Sequence, residues 1–241
     1  MWSRNKANLY IRDALDDFHY DPKALPSPIA QRKIYRNKLM LTHLVGFGSG
    51  GSAPITTLSY LWDGSGDRLD VPTHSDWAFG TADYCIEAFF RFNSVDSILG
   101  LWGIAPNTND RTMIAWIQAS TELNWSTRKD SGSVHNFDVS WSPSIDTWYH
   151  LAFVKYSGVQ YIYADGTELG NEADTKDVDW TSGHVIGKWG INANVMNGYM
   201  DELRISKGVP RYTTGFTPTI VEFTSDANTQ LLIHCNETIA S

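Results

Sequence analysis

The chain has 241 residues, 42% of them hydrophobic, and a formal net charge of −8. That length and apolar share supply the core of one large domain or two small ones and exclude a disordered chain. No run of about 18 apolar residues occurs, so no stretch reads as a membrane-spanning helix.

Charge divides the chain. Residues 1–50 hold eight Lys/Arg against four Asp/Glu and the remainder 11 against 23, giving +4 and −12. Such asymmetry points to an arm with its own partner. Nucleic acid fits poorly, because +4 is modest and the acidic body repels phosphates. A protein surface fits better, with a solvated helical face as the open alternative. The start "MWSRNKANLYIRDALDDFHY" has no apolar signal core, so synthesis in a cytoplasm is expected.

Within the arm, "RNKANLYIRDALDDFHY" sets Leu9, Ile11, Leu15 and Phe18 near one helical face. "DPKALPSPIAQ" carries three prolines and predicts an extended connection. "RKIYRNKLMLTHLVGF" reads as helix or strand, and "GSGGSAP" as a flexible joint. The boundary is therefore drawn near residue 50, between a partly helical arm (1–50) and a second domain (51–241).

The texture changes after that joint. Short runs rich in β-branched and aromatic residues, such as "YCIEAFFRF", "TMIAWIQA", "ELNWSTR" and "WYHLAFVKY", alternate with turn signals such as "DGSGD", "PNTND" and "KDSGS". Many close-spaced strands with no helical segment between them predict two antiparallel sheets packed face to face, a jelly-roll β-sandwich. In "VQYIYADGTELG", Asp165-Gly166 suits a tight hairpin turn needing positive φ.

"LWDGSGDRLDVPTHSDWAFGTADYCIEAFFRF" followed by "DTWYHLAFVKYSGVQYIYADGTELG" resembles the laminin-G-like branch of the concanavalin A-like lectin/glucanase fold. The closing stretch "NGYMDELRISKGVPRYTTGFTP", with "TQLLIHCNE" after it, is similar to a form met mainly in bacteriophage virion and tail-associated proteins. The resemblance spans roughly residues 56 to 236 and leaves the arm uncovered. It implies an all-β, lectin-like sandwich; the family's functions are wide.

Catalysis has little support in the sequence. Strand alternation would put Asp201 and Glu202 on opposite faces, where they cannot act together on one glycosidic bond. The Glu-x-Asp-x-x-Glu arrangement of related glucanases is missing, and "YCIEAFFRF" offers Glu87 alone. Asp201 is expected to hold a turn through backbone hydrogen bonds, with Arg204 or Arg211 pairing with Glu202. His150 and His234 fall in strands and read as structural. Cys85 and Cys235 read as free thiols. No H-E-x-x-H, C-x-x-C, G-x-S-x-G or Walker pattern occurs.

Calcium is a candidate cofactor, because such loops bind it in many laminin-G-like domains; "WDGSGD" (Asp63, Asp67), "PNTND" (Asn107, Asn109, Asp110) and "NEADTKDVDW" supply hard oxygen ligands. Loops of this composition are also ordinary turns. For a sugar site, the tryptophans flanked by polar residues, Trp125, Trp141 and Trp180, are candidate stacking platforms. Asn192 and Asn194 of "GINANVMNG" are candidate hydrogen-bonding partners. The resulting expectation is a non-enzymatic phage virion protein of capsid or tail. It would dock through its arm as a homo-oligomer, a trimer, and display the sandwich to a host glycan. A free-standing lectin and a glycoside hydrolase are the alternatives.

Overall fold

In a computed structural model, the chain is described over residues 58–104, 113–118, 121–127, 135–178, 181–189 and 194–234, with strand segments at 19–20, 35–37 and 40–43. The first strands are β1 (His19–Tyr20), β2 (Tyr35–Asn37), β3 (Met40–His43), β4 (Leu58–Asp63) and β5 (Arg68–Asp70). Then come β6 (Tyr84–Phe92), β7 (Leu99–Ile104), β8 (Met113–Gln118), β9 (Glu122–Thr127), β10 (His135–Ser140) and β11 (Trp148–Tyr156). The last are β12 (Val159–Ala164), β13 (Thr167–Ala173), β14 (His184–Ile186), β15 (Asn197–Lys207) and β16 (Thr229–His234).

These form two antiparallel sheets. The nine-stranded sheet runs β1-β16-β15-β6-β11-β12-β13, with β4 on the first half of β15 and β3 on β4. The seven-stranded sheet runs β10-β9-β8-β7-β14-β5-β2. Helix among the described residues is one short 3-10 turn at Ser75–Trp77. The predicted sandwich is the observed one.

The described segments of residues 1–50 are strand. β2 and β3 lie in "RKIYRNKLMLTHLVGF", where helix and strand were both open; β2 pairs with β5 and β3 with β4. β1 occupies the end of the first candidate helix and pairs with β16. The remainder of that helix and the glycine joint lie outside the described residues. Parts of the arm are thus sewn into both sheets.

Alternation along the strands builds the core. Tyr84, Ile86, Ala88, Phe90 and Phe92 of β6 turn toward the other sheet and are buried. Phe153 of β11 meets Trp102 at 5.6 Å and Trp125 at 5.7 Å, both rings nearly perpendicular to it. Edge-to-face contacts of this kind each add about 0.5–1.5 kcal/mol beyond area burial, which ties the sheets at their centre.

The outer face of the nine-stranded sheet is also covered. After β15 the chain runs back across it as a strap, so "GVPRYTTGFTP" is neither a catalytic loop nor a free tail. Tyr212 and Phe216 stack at 3.5 Å, and Phe216 packs on Tyr163 and His150. Beneath them lie Cys85, Ala152 and Val154. Burial pushes the free Cys85 thiol up, which makes it unreactive. Cys235 lies outside the described residues.

The Asp165-Gly166 turn anchors the strap. Both residues have positive φ, 49° and 75°, as the hairpin reading requires. The Phe216 amide donates to the Gly166 carbonyl at 3.0 Å, and a Cβ on Gly166 would lie 1.7 Å from the Phe216 carbonyl oxygen. Gly166→Ala therefore combines left-handed strain with a backbone collision. We expect a loss of about 2 kcal/mol or more, read as a lower urea midpoint. A change below about 0.5 kcal/mol would show that the strap yields freely.

Candidate functional site

The carboxylates singled out in the closing stretch are structural in their setting. Asp201 Oδ1 accepts the Glu202 amide at 2.9 Å. Glu202 Oε2 accepts the Phe223 amide at 2.7 Å, and its Oε1 meets His234 Nδ1 at 2.7 Å. The expected alternation fails because a bulge interrupts β15 between Asp201 and Arg204, with Glu202 at φ 52°. Asp201 sits in register with Phe89, which packs on Phe223. Both carboxylates therefore approach the strap side rather than opposite faces.

The arginine pairings also differ from expectation. Arg204 donates from Nε and Nη2 to Glu87 Oε1, at 2.8 and 2.6 Å. Glu87 Oε2 is met by His150 Nε2 at 3.1 Å and accepts Tyr212 Oη–H at 2.7 Å. Burial alone would push the Glu87 carboxyl up, but the His150 hydrogen bond and the Arg204 charge outweigh it and hold it at about 2. Arg211 pairs with Asp226. Glu87 is fully enclosed with both oxygens occupied, so no substrate reaches it.

Of the calcium candidates, Asp63, Asp67 and Asp174 are engaged by neighbouring donors. Asp63 Oδ1 accepts the Ser65 amide, Asp67 Oδ2 the Asp63 amide, and Asp174 the Lys176 amide and the Thr127 hydroxyl. The three amide bonds form local turns, and the Thr127 hydroxyl ties β9 to the segment after β13. No cluster of three or more His, Cys, Asp or Glu side chains fit for a metal occurs among the described residues. Residues 107–110 lie outside them.

The outer face of the seven-stranded sheet is different. Register aligns Gly100, Trp116, Asn124 and Asp138 in one row across β7, β8, β9 and β10. The next row holds Gln118, Glu122 and Ser140. Ala115, Ile117, Leu123, Phe137 and Val139 alternate with these and enter the core.

Gly100 leaves space for a covering segment. A Cβ there would lie 2.0 Å from the Trp189 amide nitrogen, so the chain after β14 runs directly over this position. Trp189 then stacks on Trp116, centroids 4.9 Å apart and planes within 16°. Trp116 is 8% exposed and Trp189 is half-buried, which makes a two-ring ledge with the Trp189 side toward solvent. Trp116 Nε1 and Asn124 Nδ2 are buried donors without a partner. Burial raises the Asp138 carboxyl first, and the charges of Glu122 and Glu172 raise it further.

The sugar-site candidates fall unevenly around this ledge. Trp125 is fully buried between Tyr84 and Phe153, so it cannot stack on a ligand. Trp141 is half-buried against Phe92 and Tyr149. Asn194 is brought beside Trp189, its carbonyl accepting the Trp189 amide at 2.9 Å. Trp180 and Asn192 lie outside the described residues. Trp116 and Trp189 were not singled out, although alternation in "AWI" marks Trp116 as outward.

A family description, the concanavalin A-like lectin/glucanases superfamily, matches residues 63–211, more than half the chain. The protein belongs to this family. No curated protein sequence matches it. Among solved structures it is similar to a Bacteroides ovatus protein proposed to bind carbohydrate, with TM-score 0.55 and 14% identity over 84% of this chain. It is similar too to the receptor binding domain of botulinum neurotoxin type G, with TM-score 0.52 and 9% identity over 78% of this chain. The chain spans 60% of the first structure's length and 45% of the second's. At such identity the likeness is one of fold.

Proposed function

We propose that the protein is a non-catalytic glycan-binding sandwich displayed on a bacteriophage particle, with the sugar lying on the Trp189–Trp116 ledge. The carrying observation is the ledge itself: an accessible indole stacked on a second, beside buried N–H donors of Asn124 and Trp116 that have no acceptor. A pyranose supplies both complements, an apolar C–H face for the ring and hydroxyl oxygens for the donors. Family membership and the Bacteroides ovatus likeness favour the same class. The virion placement rests on the closing-stretch resemblance and on the basic first 50 residues.

Trp189→Ala is expected to weaken glycan binding about tenfold or more at an unchanged melting temperature, because that ring is half-exposed. Gly100→Ala should also weaken binding, by lifting the Trp189 backbone, and the collision should lower its melting temperature. Glycan arrays followed by calorimetry measure both, and full affinity in Trp189→Ala sinks the ledge. No reducing ends should appear with any bound polysaccharide.

Docking is assigned to the N-terminal arm, holding a homo-oligomer, a trimer, on capsid or tail proteins. β2 and β3 pair into the two sheets, so the informative truncation removes residues 1–18 alone. It should leave a folded sandwich that no longer associates with particles. Absence of the full chain from purified particles, with sugar binding retained, would favour a free-standing lectin.

A further inference from the structure

We infer that the ledge selects an amino sugar carrying a protonated amine over neutral and acidic sugars. This rests on the glycan-binding reading above and names the ligand class. Three carboxylates gather at one side of the ledge without a cation. Asp138 stands in register with Asn124, and Glu122 lies one row along the neighbouring strand. Glu172 comes from β13, which packs against β10 where Gly170 meets Val139. Asp138 feels the charge of both.

None of the three has a side-chain hydrogen bond or ion pair to a described residue. All three are exposed, whereas Glu87, Asp174 and Asp226 are each met by a cation, Arg204, Lys155 and Arg211. Lys188 precedes Trp189 and His135 begins β10, yet neither pairs with the trio. The basic residues Arg111, Arg128 and Lys129 lie outside the described residues.

The second observation is Asn124. It is 4% exposed, its Nδ2 has no acceptor, and its row neighbours are Trp116 on one side and Asp138 on the other. A ligand that satisfies this donor with a ring hydroxyl therefore lies between the indoles and the carboxylates. An ammonium on that sugar meets unpaired negative charge on one side and an aromatic face on the other, and both attract it. A uronic or sialic acid there would add a further negative charge to mutual repulsion.

The test is calorimetric titration of the full chain at about pH 6 with glucosamine oligomers, their N-acetylated counterparts and oligogalacturonate. The amine form should bind about tenfold tighter than the acetylated form at low ionic strength, and that ratio should shrink in high salt. It should also fall toward one in Glu122→Gln/Glu172→Gln. Equal affinity for the amine and acetylated forms, tighter binding of the uronate, or a ratio unchanged in the double variant overturns the inference. Trp189-dependent binding of the acetylated form without amine preference leaves the glycan reading standing and removes only this one. If no glycan binds and Trp189→Ala changes nothing, both fall.

Discussion

Glu87→Leu is expected to destabilise the protein by about 3–5 kcal/mol, the usual cost of stripping one partner from a buried ion pair. The loss leaves Arg204, His150 Nε2 and the Tyr212 hydroxyl facing an apolar side chain in a site closed to water. Tyr212 belongs to the strap, so the covering segment loses one of its polar ties to the sheet. Glu87→Leu/Arg204→Met should recover a large part of the loss, because it removes the stranded charge and keeps volume. Urea unfolding of the wild type, both singles and the double gives the coupling. Single variants within about 1 kcal/mol of wild type would mean that water reaches the network.

How much of this was legible follows from periodicity. Most strands over residues 58–234 were readable because they carry their own alternation and turn chemistry, and Asp165-Gly166 announced its turn locally; β5 and β10 were not singled out. The Glu87 network was not, since its partners lie 63, 117 and 125 residues away. The β15 bulge was equally hidden: one extra residue breaks alternation without changing composition.

The sugar candidates show a specific error of reading. Polar flanks mark a tryptophan as inward in a one-sided strand, because the flanking residues are the ones that face solvent. Trp125, between Asn124 and Ser126, is therefore core. Trp116, between Ala115 and Ile117, is therefore outward. Trp189 was beyond such logic, because only the missing side chain at Gly100 lets its backbone cross the sheet. The same physics decides which face can receive a ligand. The strap covers part of the outer face of the nine-stranded sheet with Tyr212, Phe216 and Phe223, and the outer face of the other sheet carries the Trp189–Trp116 pair.

Acid is expected to erode stability from about pH 6.5 downward, with His184 as the first cause. This imidazole is 1% exposed, wedged against Trp77 at 4.3 Å and Phe79 at 6.4 Å, and neither ring nitrogen has a partner. Burial pushes its pKa from 6.5 down to about 3. Between those values the unfolded chain takes up a proton that the native protein refuses. Stability is thus complete above the unfolded value and falls by roughly 1.4 kcal/mol per pH unit below it. Glu87, lowered from 4.5 to about 2, adds a second such slope across that lower window. His184→Leu fills the same pocket with a group that cannot charge. Its urea midpoint should stay nearly level from about pH 6.5 to 5, then drop through the carboxylate range as the wild type does. Parallel decline of both proteins over the upper interval would assign the acid sensitivity to another group.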